Sequence, residues 1–277
     1  MKTIHAYTIT RVVSDLCIKA NQVLRNDVLQ ALTLAVRRES NKKAKRLLKA
    51  IVENAAIAKK ERLAICQDTG LPTVFIELGQ GVRIKGDLTA ALVKGVAQGY
   101  RRGFLRNSIV RDPLARTKPA YLPPVIHIDI VKGEKLTLTV LPKGFGCENK
   151  TQLKMFLPTA RRGEIKKFIV DAVKAAGSDA CPPYVVGVGI GGTADYACLL
   201  AKKALLAGNT QYAIRNTKKL EKELLRAINN LRIGPMGLGG KTTALAVNIL
   251  TYPTHIAGLP VAVNISCHAL RSATAVL

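Results

Sequence analysis

Three of the six cysteines stand in short segments that could present a thiolate to a metal. Cys66 lies in ICQDTG, Cys181 in ACPPYVVG and Cys267 in NISCHAL, each at a predicted loop or at the end of a predicted element. Thiolates are soft ligands that suit metal ions and metal clusters. A single cysteine is more often a small buried apolar residue, however, and the wide spacing gives no metal-binding pattern by itself. Both interpretations stay open on this evidence.

The other three cysteines have plainer surroundings. Cys17 and Cys198 fall on the apolar faces of predicted helices, which predicts core positions. Cys147 lies in KGFGCENKT, a polar glycine-rich turn that suits either role. Because the chain has 277 residues and no apolar segment at its N-terminus, we expect neither export nor a disulfide framework. The expected location is the cytoplasm, and no apolar run reaches the length of a membrane span.

Two glycine-rich segments resemble phosphate-binding loops. RIGPMGLGGKTTA lacks the P-loop spacing, because Pro235 stands where the first glycine belongs and a predicted helix, not a strand, precedes it. GVGIGG at 187–192 matches the dinucleotide-binding pattern, but no Asp or Glu follows between 196 and 220 to bind a ribose. It could offer backbone N–H groups to another anion, such as a carboxylate, or allow a strand and a helix to pack closely.

The predicted helices and strands that position these residues indicate an α+β fold. It has a helix-rich N-terminal part, mixed strands and glycine-rich loops. Without an internal repeat or an obvious linker, we expect a single domain over 1–277. The periodicity predicts helices over 12–36 with a break at 26–27, a helix opened by Ser40, a strand at 73–78, a helix at 87–104 capped by Asp87, a hairpin of 125–131 with 135–141, and a helix at 164–176 ended by Gly177.

The chain is strongly basic, with 43 Lys and Arg against 18 Asp and Glu, a net charge of +25. Solvated helix faces, an acidic protein partner and nucleic acid could each account for this charge. With seven Tyr, five Phe and no Trp, a base-stacking surface is poorly supported.

Five segments, taken together, resemble the alpha subunit of two-subunit class I fumarate hydratases and tartrate dehydratases, which are iron–sulfur hydro-lyases. They are CQDTG, PKGFGCENK, CPPYVVGVGIGGT, IGPMGLGGKTTALAV and HIAGLPVAVNISCH, in that order along the chain. The resemblance implies a [4Fe–4S] cluster held by Cys66, Cys181 and Cys267, with one iron open to the substrate. Such an iron can polarise a hydroxyl oxygen, as a dehydration requires.

The resemblance also implies the site residues: Gln67 and Asp68 as catalytic residues, and Arg106, Gly144, Gly146 and His255 as substrate-binding residues. Each has a structural alternative, such as a turn carboxylate for Asp68 or a surface cation for Arg106. Cys147 departs from the family pattern, which usually has Ser there. The resemblance makes the segment around Lys241 and Thr242 a packing turn that contacts an anion or a partner.

The function implied is reversible hydration of fumarate to malate, with dehydration of L-tartrate as the alternative. We expect the chain to act on a dicarboxylate and to need a beta subunit, whose acidity would match the positive charge. Two interpretations from other classes remain: a basic nucleic-acid-binding protein, and a non-catalytic subunit that keeps the fold without a cluster.

Overall fold

The structure is a computed structural model that describes residues 2–206 and 217–277. The helices are α1 (Ala6–Gln22), α2 (Asn26–Arg38), α3 (Lys42–Glu61), α4 (Leu88–Arg102), α5 (Phe145–Glu148), α6 (Arg162–Ala176), α7 (Ala194–Ala204) and α8 (Lys218–Asn229). The strands are β1 (Lys2–His5), β2 (Leu71–Gly79), β3 (Val82–Lys85), β4 (Val125–Val131), β5 (Leu136–Lys143), β6 (Gln152–Phe156), β7 (Tyr184–Gly192), β8 (Ala244–Thr254), β9 (Leu259–Ser266) and β10 (Ala273–Val276). These elements confirm the predicted α+β class.

The chain divides into two compact units. Unit 1 comprises Met1–Arg25, Asn54–Phe145 and Arg271–Leu277, and unit 2 comprises Asn26–Glu53 and Gly146–Leu270. Among the described residues, no helix is long and apolar enough to cross a membrane.

Unit 1 is built on a four-stranded sheet in the order β10-β5-β2-β4. Helices α1 and α4 pack together, and their apolar faces form one core with the sheet. Glycines in α4 permit this close approach, since a Cβ at Gly99 would lie 2.6 Å from the carbonyl oxygen of Ser14 in α1. Asp87 caps α4 as predicted, its carboxylate accepting the Ala90 N–H at 2.9 Å.

The predicted hairpin of 125–131 with 135–141 is wrong. Both segments are strands, but β2 lies between them, parallel to β4 and antiparallel to β5. The alternation of apolar and polar residues in β4 and β5 allows either strand to pair with β2 as well as with the other. The short KGE link between β4 and β5 therefore does not decide which strands pair.

Unit 2 contains the second four-stranded sheet, in the order β6-β9-β7-β8. Helix α7 packs on the central strand β7, where a Cβ at Gly187 or Gly189 would lie 2.1 Å from Ala201 O or 2.0 Å from Ala197 O. The GVGIGG segment therefore lies within a strand, rather than in a turn after it, and its glycines allow strand and helix to touch. Of the two interpretations of this segment, the contacts match close packing.

Helix α8 covers the edge strand of this sheet through polar contacts. The buried Glu221 carboxylate accepts the Ile249 N–H of β8 at 3.0 Å, and Asn229 Oδ1 accepts the Thr243 and Ala244 N–H groups at 2.8 and 2.9 Å. These bonds satisfy backbone N–H groups that an uncovered edge strand would leave unpaired. The helix predicted to open at Ser40 is α3, and Asn41 caps it instead, its side chain accepting the Lys43 N–H at 3.0 Å.

Candidate active site

The sheet of unit 1 brings three separate loops to one of its ends. Leu71 at the start of β2 pairs with Lys143 at the end of β5, and Ala273 at the start of β10 pairs with Val140. The segments before β2, after β5 and before β10 must therefore lie side by side. They carry the CQDTG segment, the Gly144 turn and Arg271.

Asp68 joins two of these loops through its carboxylate. Oδ1 accepts the Gly70 N–H and Oδ2 accepts the Phe145 N–H, both at 2.9 Å. Gly144 lies against the same group, since a Cβ there would be 3.0 Å from Oδ2. Asp68 thus has the contacts of a turn carboxylate that fixes the position of the neighbouring glycine turn.

Arg106 is tied to the same loop through its backbone. Its N–H donates to the hydroxyl of the buried Thr69 at 2.9 Å, while its side chain is exposed. The Tyr100 hydroxyl donates to the Thr69 carbonyl at 2.8 Å, and burial raises the pKa of this phenol well above its ordinary value. Gln67 is exposed in the bend that also contains the half-buried Cys66.

Arg271 was not predicted and lies at the centre of this arrangement. Its guanidinium is buried, and Nη2 donates to the main-chain carbonyl oxygen of Asp68. The signal in the sequence is a lone cation among small and apolar residues, four positions after Cys267.

The sheet of unit 2 likewise brings Cys181 and Cys267 to one of its ends. Cys181 precedes β7 and Cys267 follows β9, and these strands are antiparallel, with Val185 opposite Ser266. His268 links the two segments, because its Nδ1 lies 3.0 Å from the Cys181 carbonyl oxygen and its N–H donates to the same atom at 3.4 Å. Sequence reasoning missed this residue.

Cys181 also has an unusual backbone, with φ at 56°. Non-glycine residues seldom adopt this left-handed conformation, and strained positions of this kind cluster at functional sites. Cys147 lies in the same unit, where its buried thiol donates to the carbonyl oxygen of Ala180 at 3.3 Å.

Gly146 and His255 occupy different ends of unit 2. Gly146 lies in α5, just before β6, whose first residue pairs with Val263 near the Cys267 end of β9. His255 is exposed in the turn before β9, where Nδ1 accepts the Ala257 N–H at 3.1 Å. The length of β9 separates His255 from Cys267 by roughly 25 Å. The structure does not bring these two residues together within the unit, and a substrate contact of His255 stays a prediction.

The cysteines differ in their suitability as ligands. Burial raises the pKa of Cys17 to about 12 and also raises the pKa of Cys198, so both thiols stay protonated at neutral pH. The three predicted ligands, Cys66, Cys181 and Cys267, are partly exposed in loops. All six cysteines lie in the described residues, and none forms a disulfide. In that same part of the chain, no three Cys, His, Asp or Glu side chains form a ready-made metal-binding group.

The glycine-rich segment before β8 binds a carboxylate of the protein itself. The buried Glu39 accepts the Lys241 N–H at 2.7 Å, and a Cβ at Gly240 would lie 2.8 Å from the same oxygen. Lys241 Nζ donates to the Arg38 carbonyl oxygen at 3.3 Å. The backbone of this loop thus bonds the side chain of Glu39, which follows the end of α2. Contact of Lys241 and Thr242 with another anion or with a partner stays a prediction.

Comparison with known proteins places the chain in a family. The profile of the fumarate hydratase (Fumerase) family matches residues 10–276, so the chain belongs to this family. The matched range includes every predicted site residue in both units.

The relatives that are similar to the chain include both tartrate dehydratase subunits and fumarate hydratases by name. The protein named "Putative L(+)-tartrate dehydratase subunit alpha" from Methanocaldococcus jannaschii is 40% identical over 96% of each chain. The L(+)-tartrate dehydratase subunit alpha of Escherichia coli K12 is 26% identical over 96% of this chain and 89% of its own. The aerobic class I fumarate hydratase of Escherichia coli K12 is 34% identical over 80% of this chain, which spans only 42% of that enzyme's length.

Proposed function

We propose that the chain is the alpha subunit of a [4Fe–4S]-dependent hydro-lyase that catalyses the reversible hydration of fumarate to malate. The observation that carries this proposal is the family match over 10–276, which takes in the five resembling segments in their order. On this proposal, both units belong to one cluster-binding domain.

Cys66, Cys181 and Cys267 are the residues that would hold the cluster. Their donor chemistry fits, because all three are thiols outside disulfides and partly exposed in loops, whereas Cys17 is buried and protonated. Cys181 and Cys267 are already neighbours through His268. When bound, a cluster with an open iron supplies a Lewis acid for the substrate hydroxyl.

The residues of unit 1 would bind and orient the dicarboxylate. The exposed Arg106 side chain can form a charge-assisted bond to a carboxylate, and its backbone is fixed by Thr69. Asp68 fixes the glycine turn whose backbone N–H groups would face the substrate. Each Asp68 oxygen has a second lone pair that can accept a bond from substrate or receive a proton. The exposed Gln67 amide could bond the substrate hydroxyl.

Dehydration of L-tartrate is the second candidate, favoured by the names of the two alpha-subunit relatives. It uses the same chemistry, because tartrate is also a 2-hydroxy dicarboxylate. Activity on each acid would separate the two.

We infer that a beta subunit completes the enzyme. Two relatives are named as alpha subunits, and the chain spans less than half of the class I fumarate hydratase it matches. An acidic beta subunit would match part of the net charge of +25. The purified chain should therefore be inactive alone, and turnover by it alone would refute this part of the proposal.

The test is an anaerobic assay of the chain co-expressed with its beta subunit and reconstituted with iron and sulfide. We expect malate to yield fumarate, followed by its ultraviolet absorbance, and tartrate to yield less oxaloacetate. The reverse preference would make the tartrate dehydratase proposal correct. A loaded cluster without turnover of either acid would overturn the substrate class, and absence of a cluster would favour the non-catalytic subunit. Tight binding to DNA with steep salt dependence would instead support the nucleic-acid interpretation.

A further inference from the structure

Arg271 is a buried cation that has no counter-ion among the residues that the structure describes. It is 4% exposed, and its Nε and Nη1 have no hydrogen-bond partner within the part of the chain that the structure describes. Its contact in unit 1 is the bond from Nη2 to the Asp68 carbonyl oxygen, an uncharged acceptor. A guanidinium stays charged at any pH at which proteins fold, so this charge cannot be removed by losing a proton.

Such a group costs free energy unless an anion or water pairs with it. Transferring one ion from water to a protein interior costs several kcal/mol even after relaxation. Buried polar groups without partners are rare, and each one calls for an explanation. The two unpaired donors lie on different edges of the guanidinium, and either can form a charge-assisted bond to an oxygen of a carboxylate.

The position of Arg271 indicates which anion is involved. It lies at the end of the unit 1 sheet where the loops of Asp68 and Gly144 meet, and it bonds Asp68 directly. The Asp68 side chain is not the partner in this structure, because its carboxylate oxygens accept the Gly70 and Phe145 N–H groups and neither bonds Arg271 Nε or Nη1. An anion that pairs with Nε or Nη1 would therefore lie next to the predicted catalytic loop, and no carboxylate of residues 2–206 and 217–277 bonds either atom.

We propose that Arg271 binds one carboxylate of the dicarboxylate substrate through one of the two unpaired donors of its guanidinium, Nε or Nη1. This inference rests on the proposed hydro-lyase function and adds a substrate-binding residue to it. Arg271 would distinguish dicarboxylates from hydroxy acids with one carboxylate, since a monocarboxylate leaves the buried charge unpaired.

The experiment uses the anaerobic holoenzyme with its beta subunit and the variants Arg271→Gln and Arg271→Lys. The KM for malate is measured together with the competitive inhibition constants of 2-hydroxybutanoate and 3-hydroxybutanoate. Each of these two analogues replaces one carboxylate of malate by a methyl group. In the wild type we expect malate to bind more tightly than both analogues. In Arg271→Gln, the preference over one analogue should fall by at least about tenfold, the loss of one charged hydrogen bond. Arg271→Lys should retain part of it.

Two controls separate binding from structure. Arg102→Gln removes an exposed guanidinium in the same unit, 3.1 Å from Asp15, and should leave all three constants unchanged. Thermal unfolding and the visible absorbance of the cluster report whether each variant is folded and loaded. If Arg271 only holds the Asp68 loop, Arg271→Gln will weaken malate and both analogues by the same factor, which would overturn the proposal.

The two proposals fail in distinguishable ways. Wild-type turnover of malate or tartrate tests the hydro-lyase function, and the ratio of constants in Arg271→Gln tests the new residue. A working enzyme whose dicarboxylate preference survives Arg271→Gln would overturn only the assignment of Arg271. A wild-type holoenzyme that binds neither dicarboxylate would overturn both.

Discussion

At the scale of residues, the carboxylate of Asp68 connects a predicted catalytic loop to a predicted substrate-binding turn. Its two oxygens each accept one backbone N–H, from Gly70 and from Phe145. The contacts are those that a turn carboxylate makes, so the loop geometry itself depends on this side chain. A role in proton transfer would come on top of this structural task.

Asp68→Asn should destabilise unit 1. An amide has one oxygen, so its NH₂ group must face one of the two backbone N–H donors and leave it unsatisfied. We expect the free energy of unfolding in urea to fall by about 1–3 kcal/mol. Asp15→Asn, at an exposed ion pair with Arg102, serves as the control and should change it by less than about 0.5 kcal/mol. Equal stability of the two variants would show that the Asp68 bonds contribute nothing.

Some of the site residues could be identified from the sequence, and others only from the structure. Cys66, Cys181 and Cys267 were identifiable only through the surrounding segments, because their spacing matches no metal-binding pattern. Arg271 and His268 escaped notice because a single Arg or His near an element end looks like many others. What distinguishes them is a hydrogen-bond contact that exists only in the folded chain. Arg271 bonds the Asp68 carbonyl oxygen, and His268 contacts the Cys181 carbonyl oxygen.

At the scale of elements, close contact between β7 and α7 explains the GVGIGG segment. Gly187 and Gly189 face the helix at distances that no side chain could occupy. The pattern resembles a nucleotide-binding fingerprint because both structures need glycine where a strand meets a helix.

Gly189→Ala should therefore be strongly destabilising. Its Cβ would lie 2.0 Å from Ala197 O and 2.7 Å from Ala201 N, so α7 must move away from the sheet. We expect the free energy of unfolding to fall by about 3 kcal/mol or more. Gly163→Ala is the matched control, since its Cβ meets nothing within 4 Å near the start of α6, and it should be neutral or stabilise by up to about 1 kcal/mol. A Gly189→Ala protein as stable as Gly163→Ala would contradict this packing.

Local signals predicted most elements, and the long-range pairing was the part they could not supply. Asp87 and Gly177 mark the ends of α4 and α6 as predicted, because capping depends on neighbouring residues alone. The hairpin prediction failed because β2, which precedes both strands in the chain, lies between β4 and β5 in the sheet. Such a choice is decided by packing across the whole sheet.

At the scale of the whole molecule, each unit gathers predicted site residues at one end of its own sheet. In unit 1 these are Asp68, Arg106 and Gly144, joined by Arg271, and in unit 2 they are Cys181 and Cys267. Antiparallel neighbours produce this result, because the start of one strand lies beside the end of the next. His255, at the opposite end of β9, is the exception.

The central proposal is that Cys66, Cys181 and Cys267 hold one iron–sulfur cluster. The most direct measurement is the iron and sulfide content of the anaerobically reconstituted protein with its beta subunit. We compare Cys66→Ser, Cys181→Ser and Cys267→Ser with Cys198→Ser, a partly exposed thiol on α7 whose pKa is raised by burial. We expect about four irons and four sulfides in the wild type and in Cys198→Ser, and loss of most of the cluster in each of the other three. A full cluster in any of those three variants would contradict the assignment of that ligand.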